Sequence, residues 1–325
     1  SRGLGDVYKR QYYGVANELP EIADFLHTRG ILVLVDGAHG AHFAFSDVLP
    51  PSAMQAGADL SAESTHKMLG SLTQTSMLLA RVGRVPAERI RAASGLLQST
   101  SPNELLLASL DAARLQMEEE GRVRLDAAIC CAEELRARIN ALPGLWAFGG
   151  AYMGAPGRVA LDPLKVTVNV AGLGLSGFAA EEELRRAGIA CELSDAYNVL
   201  FLLSYADGVR EIERIAAALE KIAARCGEAD MPETAAPEMP PLPETPCTPR
   251  AAYFAPKERV PLAQAAGHTA AETILFYPPG IPVLAPGDAV QAASLDYLRA
   301  MRDAGARVVG ASDASLETIL VTAEG

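Results

Sequence analysis

Residues 31–42 read ILVLVDGAHGAH, and this stretch decides the fold. Five consecutive apolar residues, three of them β-branched, show no polar alternation, as expected of a parallel strand covered on both faces. The run stops at Asp36, and the small residues and histidines after it form a loop. In an open parallel sheet, ligands bind outside the carboxyl ends of the strands, which is where Asp36 falls. Upstream, Pro20 suits the first turn of a helix reaching about residue 28, with Gly30 to close it. Downstream, residues 59–64 and 75–80 read as strands. Residues 102–119 and 122–142 read as two long helices, the second ending before Pro143 and Gly144. Strand and helix in alternation predict an α/β domain with a mostly parallel sheet.

Beyond this domain, residues 146–227 read as a smaller α/β domain, with strands near 165–170 and 198–204 and helices near 179–187 and 209–223. Residues 228–250 hold seven of the 21 prolines and predict an extended linker. Residues 251–325 form a third α/β unit, with a proline-rich loop at 277–287, a helix at 289–303 and a final strand at 317–322. The opening SRGLGDVYKRQ, residues 1–11, has no apolar period. It reads as a non-native leader, with residue 12 entering in mid-domain.

Composition excludes several classes. Among 325 residues, 28 Lys and Arg face 40 Asp and Glu, a net charge of −12, which argues against binding a nucleic-acid backbone. No apolar run reaches the ~18 residues of a membrane-spanning helix. Five cysteines (Cys130, Cys131, Cys191, Cys226 and Cys247) without CxxC spacing read as reduced thiols of a cytoplasmic protein.

Two constellations could carry chemistry. Asp36 could cap its own loop, ligate a metal with His39 and His42, or hold a protonated heterocyclic nitrogen. A metal would need a further acid or imidazole, and His27 and His268 lie in unhelpful contexts, so none is expected. The second constellation is STHKMLG, residues 64–70, at another strand end. Lys67 sits there between a histidine and an apolar turn. Desolvation would lower its pKa and leave a neutral amine able to form an imine with an aldehyde. Ser64, Thr65 and the flanking amides could hold a phosphate. A lysine and an aspartate at two strand ends, about thirty residues apart, is the arrangement pyridoxal phosphate needs.

With these motifs, together with PPSAMQAGAD (50–59), STHKMLGSLTQTSML (64–78), LLQSTSPNELLLASLDAAR (96–114), ELSDAYNVL (192–200) and YPPGIPVLAPGD (277–288), the chain resembles the bacterial ornithine/lysine/arginine decarboxylases. These are fold-type-I pyridoxal-phosphate enzymes. The resemblance implies the second half of a pyridoxal-phosphate large domain at 12–145, then the small domain and a C-terminal domain special to the family. It implies Lys67 as the lysine joined to the cofactor and Asp36 as partner of its ring nitrogen. Ala38 would lie against one ring face and His39 near the ring hydroxyl, with Ser64 and His66 at the phosphate. Ser99 and Thr100 would reach the phosphate of a neighbouring subunit, implying a homodimer or higher homo-oligomer. At residue 37 the family usually has Glu, and here it is Gly37. The implied activity is decarboxylation of arginine, lysine or ornithine to an amine of polyamine biosynthesis. As an N-terminally truncated member the chain is expected to be inactive alone.

The same residues could instead serve an aminotransferase or a retro-aldol reaction, or belong to a non-catalytic homologue that only dimerises; the YPPGIP unit speaks against an aminotransferase. Glu272 and Asp288 could recognise a substrate's distal cation, although they read better as surface acids. GLGLSG (172–177) matches GxGxxG but lacks a full βαβ unit and a ribose-binding acid, and reads as a structural turn.

Overall fold

The computed structural model describes residues 4–8, 12–227, 237, 239–277 and 280–323. Its first sheet has four strands: β1 (Leu4–Tyr8), β2 (Leu32–Asp36), β3 (Leu60–Glu63) and β4 (Met77–Ala80), in the order β1-β2-β3-β4. β1, β2 and β3 pair in parallel, and β4 joins antiparallel. Helix α1 (Leu19–His27) carries Pro20 in its first turn. Its stripe of Leu19, Ala23 and Leu26 packs with Val33 and Val35 of β2, residues three and four apart meeting alternate residues of a strand. Asp59, fully buried, accepts from the Val33 N–H at 2.8 Å and lies 2.9 Å from His27 Nε2, tying α1 to the sheet.

β2 is not covered equally on both faces: Val33 and Val35 are buried, whereas Leu32, Leu34 and Asp36 are half-buried. Within residues 1–11, which read as a non-native leader, Leu4–Tyr8 pairs with β2 along its whole length, a pairing that an open strand edge offers to any short extended backbone; the rest of 1–11 lies outside the described residues. Helix α2 (Thr65–Met68) follows β3, and α3 (Ala87–Leu97), which was not anticipated, follows β4. The two helices expected at 102–142 are one, α4 (Glu104–Asn140), capped by Asn103, whose side chain accepts from the N–H groups of Leu105 and Leu106. Gly121 does not break it. The residue is buried, and a Cβ there would lie 3.2 Å from Met117 Sδ and 3.6 Å from Phe45 Cβ. The glycine thus admits a close neighbour at the ~1 kcal/mol cost of its weak helix propensity.

A second sheet has the order β5-β6-β8-β7, from β5 (Trp146–Ala147), β6 (Lys165–Asn169), β7 (Leu193–Ser194) and β8 (Asn198–Leu202), with helices α5 (Gly177–Arg186) and α6 (Val209–Cys226). Within 172–177, Gly172 and Gly177 serve close backbone approach: a Cβ on Gly172 would lie 2.7 Å from the Gly144 carbonyl oxygen, and one on Gly177 would overlap the carbonyl oxygens of Asn198 and Asp195.

The C-terminal part contains α7 (Pro249–Phe254), β9 (Lys257–Pro261), β10 (Ile274–Phe276), β11 (Pro282–Leu284), α8 (Ala292–Asp303), β12 (Val308–Val309) and β13 (Thr318–Thr322). β9 pairs with β13, and β10 lies between β11 and β12. Ile274, Leu284, Leu298, Leu316 and Ile319 are fully buried in its core. Most of the linker's first half, 228–236 and 238, and residues 278–279 of the proline-rich loop lie outside the described residues. By contacts the chain forms two compact units, Ser1–Leu142 with Trp146–Val168 and Leu200–Lys221, and Pro143–Leu145 with Asn169–Val199 and Ile222–Gly325. Among the described residues, no helix is long and apolar enough to cross a membrane.

Candidate active site

β2 and β3 end side by side. Asp36 is in register with Ala62, and the Gly37 N–H donates to the Ala62 carbonyl at 2.9 Å. The N–H of Ala38 turns back onto Asp36 Oδ1 at 3.1 Å, which fixes the carboxylate at the strand end. The loop then folds through Gly40, whose N–H donates to the Gly37 carbonyl, and carries His39 into the interior. On the neighbouring strand, Ser64 precedes the one-turn α2, and the Lys67 N–H closes that turn on the Ser64 carbonyl at 3.1 Å. The two motifs read from sequence therefore come from the carboxyl ends of adjacent parallel strands. The Lys67 Nζ lies 3.4 Å from His39 Nε2.

Lys67 itself is exposed, so the desolvated lysine expected from its neighbours is not found. Met68 and Leu69 turn inward while the lysine faces out. The desolvated group is His39, which is buried, has Lys165 Nζ 3.1 Å from Nδ1, and meets the Tyr12 ring edge-on at 5.2 Å. Burial first, then the positive charges of Lys165 and Lys67, push His39 down to about 3, so the imidazole is neutral at ordinary pH. Behind it, His42 Nε2 lies 3.2 Å from Asp162 Oδ2, both side chains fully buried. Burial alone would raise the pKa of Asp162; His42, Lys165 and the N–H of Leu164 outweigh it and hold the carboxyl below its ordinary value. His39 and His42 thus face different partners and do not form a shared ligand set.

His66 donates from Nδ1 to the Thr75 carbonyl at 2.7 Å. Ser99 and Thr100 are exposed between α3 and α4, where Ser99 Oγ accepts from the Ser101 N–H. Glu272 is not a surface acid: it is buried, and its two oxygens accept from the N–H groups of Ser312 and Leu320, each at 2.7 Å. Asp288 accepts from the Ala285 N–H at 2.8 Å and caps its own turn. Both Glu272 oxygens and Asp288 Oδ2 are thus engaged by backbone N–H groups of this part of the chain.

Sequence reasoning missed Lys165 and Asp162. The available signal was a lysine opening the strand KVTVN, whose first four residues are all buried. Glu63 was also missed. It is buried beside Gly37 and accepts from Ser61 Oγ at 2.5 Å.

Sequence comparison decides the family. The profile described as "Orn/Lys/Arg decarboxylase, major domain" matches residues 7–211, and "Orn/Lys/Arg decarboxylase, C-terminal domain" matches residues 234–313. The chain belongs to the Orn/Lys/Arg decarboxylase family. It is 39% identical to an arginine decarboxylase of Bacillus subtilis and 40% identical to one of Halalkalibacterium halodurans, in each case over 98% of this chain and 65% of the relative. The chain therefore spans just under two thirds of the length of these relatives. Among solved structures, Escherichia coli constitutive lysine decarboxylase superposes with a TM-score of 0.80 at 20% identity, over 98% of this chain and 58% of that one. Lysine decarboxylase A of Pseudomonas aeruginosa gives 0.79 at 22%, over 98% and 57%. A ureidoglycine–glyoxylate aminotransferase of Bacillus subtilis superposes at 0.53 and 17%, covering 70% of this chain and 62% of its own. The fold is the α/β fold type I of these enzymes.

For this Orn/Lys/Arg decarboxylase family member, the donor set fits pyridoxal phosphate: an exposed amine for an aldehyde, a carboxylate at the neighbouring strand end for a ring nitrogen, and a buried neutral imidazole beside the amine.

Proposed function

We propose that the protein serves the decarboxylation of a basic amino acid with pyridoxal phosphate as cofactor. The observation that carries this reading is the placing of Asp36, His39 and Lys67 at the carboxyl ends of two adjacent parallel strands, with Lys67 Nζ 3.4 Å from His39 Nε2. Lys67 would hold the cofactor covalently through its amine. Asp36 would keep the ring nitrogen protonated, Ala38 and His39 would border the ring, and Ser64 and His66, with Ser99 and Thr100 of a neighbouring subunit, would hold the phosphate. When bound, pyridoxal phosphate supplies an electron sink for the bond to the departing carboxylate. The chain's own contribution is to fix the ring-nitrogen partner, supply the amine, and keep a hydrogen-bonding imidazole dry.

The match to the family's C-terminal domain favours a decarboxylase over an aminotransferase, whose likeness to this chain covers the fold alone. Relatives at 39–40% identity make arginine the first substrate to test, ahead of lysine and ornithine. The reading places the protein in the cytoplasm, as a homodimer or larger homo-oligomer, supplying amines for polyamine biosynthesis. It also makes residues 1–325 catalytically silent on their own, because positioning of the kind a complete site provides is worth ~7–11 kcal/mol of barrier.

The test is carbon dioxide release from carboxyl-labelled arginine, lysine and ornithine. It uses the 325-residue chain and a version carrying the N-terminal segment of the Bacillus subtilis relative before residue 12. The extended protein should release label from one of the three, and Lys67→Ala should abolish it. Release from none of them, or release unaffected by Lys67→Ala, would overturn the reading.

A further inference from the structure

Between α2 and β4 the chain turns at residues 72–75, where the Thr75 N–H donates to the Leu72 carbonyl at 3.2 Å. Gln74 stands third in that turn with φ +79°, the position at which a type II turn favours glycine. A residue with a side chain stays left-handed only where its surroundings over-determine it. Here hydrogen bonds do so, and the direction of each is fixed. The Thr75 hydroxyl donates to the Leu72 carbonyl at 2.7 Å, and a hydroxyl has one proton to give. The 2.6 Å contact between Ser71 Oγ and Thr75 Oγ1 is therefore a donation from Ser71. The Leu72 N–H donates to Ser109 Oγ at 3.2 Å, and Ser109 donates to the Leu106 carbonyl at 2.8 Å, which pins the turn to α4. Thr75 is buried, and its clamped carbonyl faces the half-buried His66, 2.7 Å from Nδ1. A carbonyl oxygen carries no proton, so Nδ1 must carry one. A neutral imidazole has a single N–H, which leaves Nε2 bare. Free histidine in water favours the opposite tautomer.

We propose that Thr75 is a positioning residue, whose clamped carbonyl holds His66 with a proton on Nδ1 and presents Nε2 to the phosphate of the cofactor. The tautomer stands on the turn alone, whereas the phosphate rests on the pyridoxal-phosphate reading above. Fully ionised phosphate oxygens only accept hydrogen bonds. His66 therefore joins them as the imidazolium, with Nδ1–H held by Thr75 and Nε2–H donated to a phosphate oxygen. The second proton comes from solvent as ring and phosphate meet. The bond so made is charge-assisted, the stronger kind. The strained Gln74 backbone thus has a use: it returns the Thr75 carbonyl onto a ring nine residues upstream.

The experiment uses the 325-residue chain with 15N-labelled histidine, the His66 signals being identified by their loss in His66→Gln. At pH 8.5 the expected spectrum shows a neutral ring protonated on Nδ1 and bare on Nε2. Gln74→Val puts a β-branched residue at positive φ, and Thr75→Val removes the hydroxyl at nearly constant volume. Each should release the ring to mixed tautomers rich in Nε2–H. Gln74→Gly, which takes that φ without strain, and Thr75→Ser, which keeps the hydroxyl, should retain the Nδ1–H form. If Thr75→Val is unfolded by circular dichroism, Gln74→Val, at an exposed position, is read in its place. An Nε2–H tautomer in the parent chain, or a spectrum indifferent to both valine variants, would overturn the proposal. A second arm adds pyridoxal phosphate or pyridoxal to the extended protein at pH 8.5. Pyridoxal phosphate should protonate Nε2, and pyridoxal, which has no phosphate, should leave it bare. Gln74→Val should weaken binding of pyridoxal phosphate severalfold, read from the imine absorbance, with pyridoxal unaffected and recovery in Gln74→Gly. A bare Nε2 with both compounds, while an adduct forms on Lys67, would overturn the presentation of Nε2 to the phosphate. No adduct on Lys67 in any variant would instead remove the cofactor reading, and the spectrum of the free chain would still decide whether Thr75 sets the tautomer.

Discussion

Gly37 is the position where the strand that carries Asp36 has no room to spare. A Cβ there would overlap Glu63 Oε1 and lie 2.6 Å from its Oε2 and 2.7 Å from its Cδ, closer than real Cβ atoms approach. The Glu63 carboxylate is buried and held by Ser61 Oγ at 2.5 Å, so it cannot swing into water without losing that bond. Gly37→Ala therefore forces the carboxylate aside or moves the end of β2. Overpacking of this kind costs ~1–3 kcal/mol, and the strained Ser61–Glu63 hydrogen bond adds ~1 kcal/mol. A destabilisation of about 2–4 kcal/mol is expected in the unit containing residue 37. The assay is a double-mutant cycle in urea, with Gly37→Ala, Glu63→Ala and both together, followed by a probe in the first sheet. The double variant should recover at least ~1 kcal/mol relative to the sum of the single variants, since pairs in contact couple by ~0.5–3 kcal/mol. The family resemblance adds a sharper version: Gly37→Glu should be tolerated only when Glu63 is shortened, because the two acids compete for one space. If Gly37→Ala costs less than ~0.5 kcal/mol, or Glu63→Ala leaves its cost unchanged, the carboxylate is not what fills that space.

Further outcomes follow from the same structure. In the extended, cofactor-loaded protein, Asp36→Asn should lower turnover by about 10–100-fold with little change in KM, because a charge-assisted hydrogen bond worth ~1.5–3 kcal/mol is lost where charge develops; steady-state kinetics check this, and near-normal turnover would make Asp36 structural. Since the folded protein holds His39 down to about 3 while the unfolded chain titrates it near 6.5, the unfolded state binds more protons between those values. Stability should then be full above pH ~7 and fall by up to ~1.4 kcal/mol per pH unit below it, a slope that His39→Gln should flatten in urea titrations at pH 7, 6 and 5. Arg136 is buried and donates to the carbonyls of Phe148, Pro163 and Lys165; Arg136→Leu should cost ~3 kcal/mol or more by leaving acceptors unsatisfied, measured by denaturant midpoint. Burial pushes the Cys191 thiol up to about 12, so iodoacetamide at pH 8 should label the exposed Cys130 well before Cys191, as peptide mass spectrometry would show.

What was legible in the sequence was local. The apolar run before Asp36 and the lysine in STHKMLG announce strand ends, because period and turn chemistry are written in neighbouring residues. The adjacency of those ends, and the inward turn of His39 between two lysines, depend on packing that no window contains. The partner of His39 Nδ1 is 126 residues away in the chain. Lys67 reads as buried because its neighbours are apolar, yet Met68 and Leu69 take the inward positions and leave the lysine outside. Residues 120–121 read as a break between two helices, yet one helix runs through the buried Gly121, where a Cβ would crowd Met117 Sδ at 3.2 Å and meet Phe45 at ordinary contact distance. Glu272 reads as exposed by residue type, but two backbone N–H groups from distant segments satisfy it in the interior.

In the proposed function, Lys67 and no other lysine receives pyridoxal phosphate. Borohydride reduction of the 325-residue chain after incubation with pyridoxal phosphate, followed by peptide mapping, locates the modified residue. A single pyridoxyl group on the peptide containing Lys67, absent in Lys67→Ala, is the predicted result. An adduct placed instead on Lys165 or Lys221, or spread evenly over the exposed lysines, would contradict it.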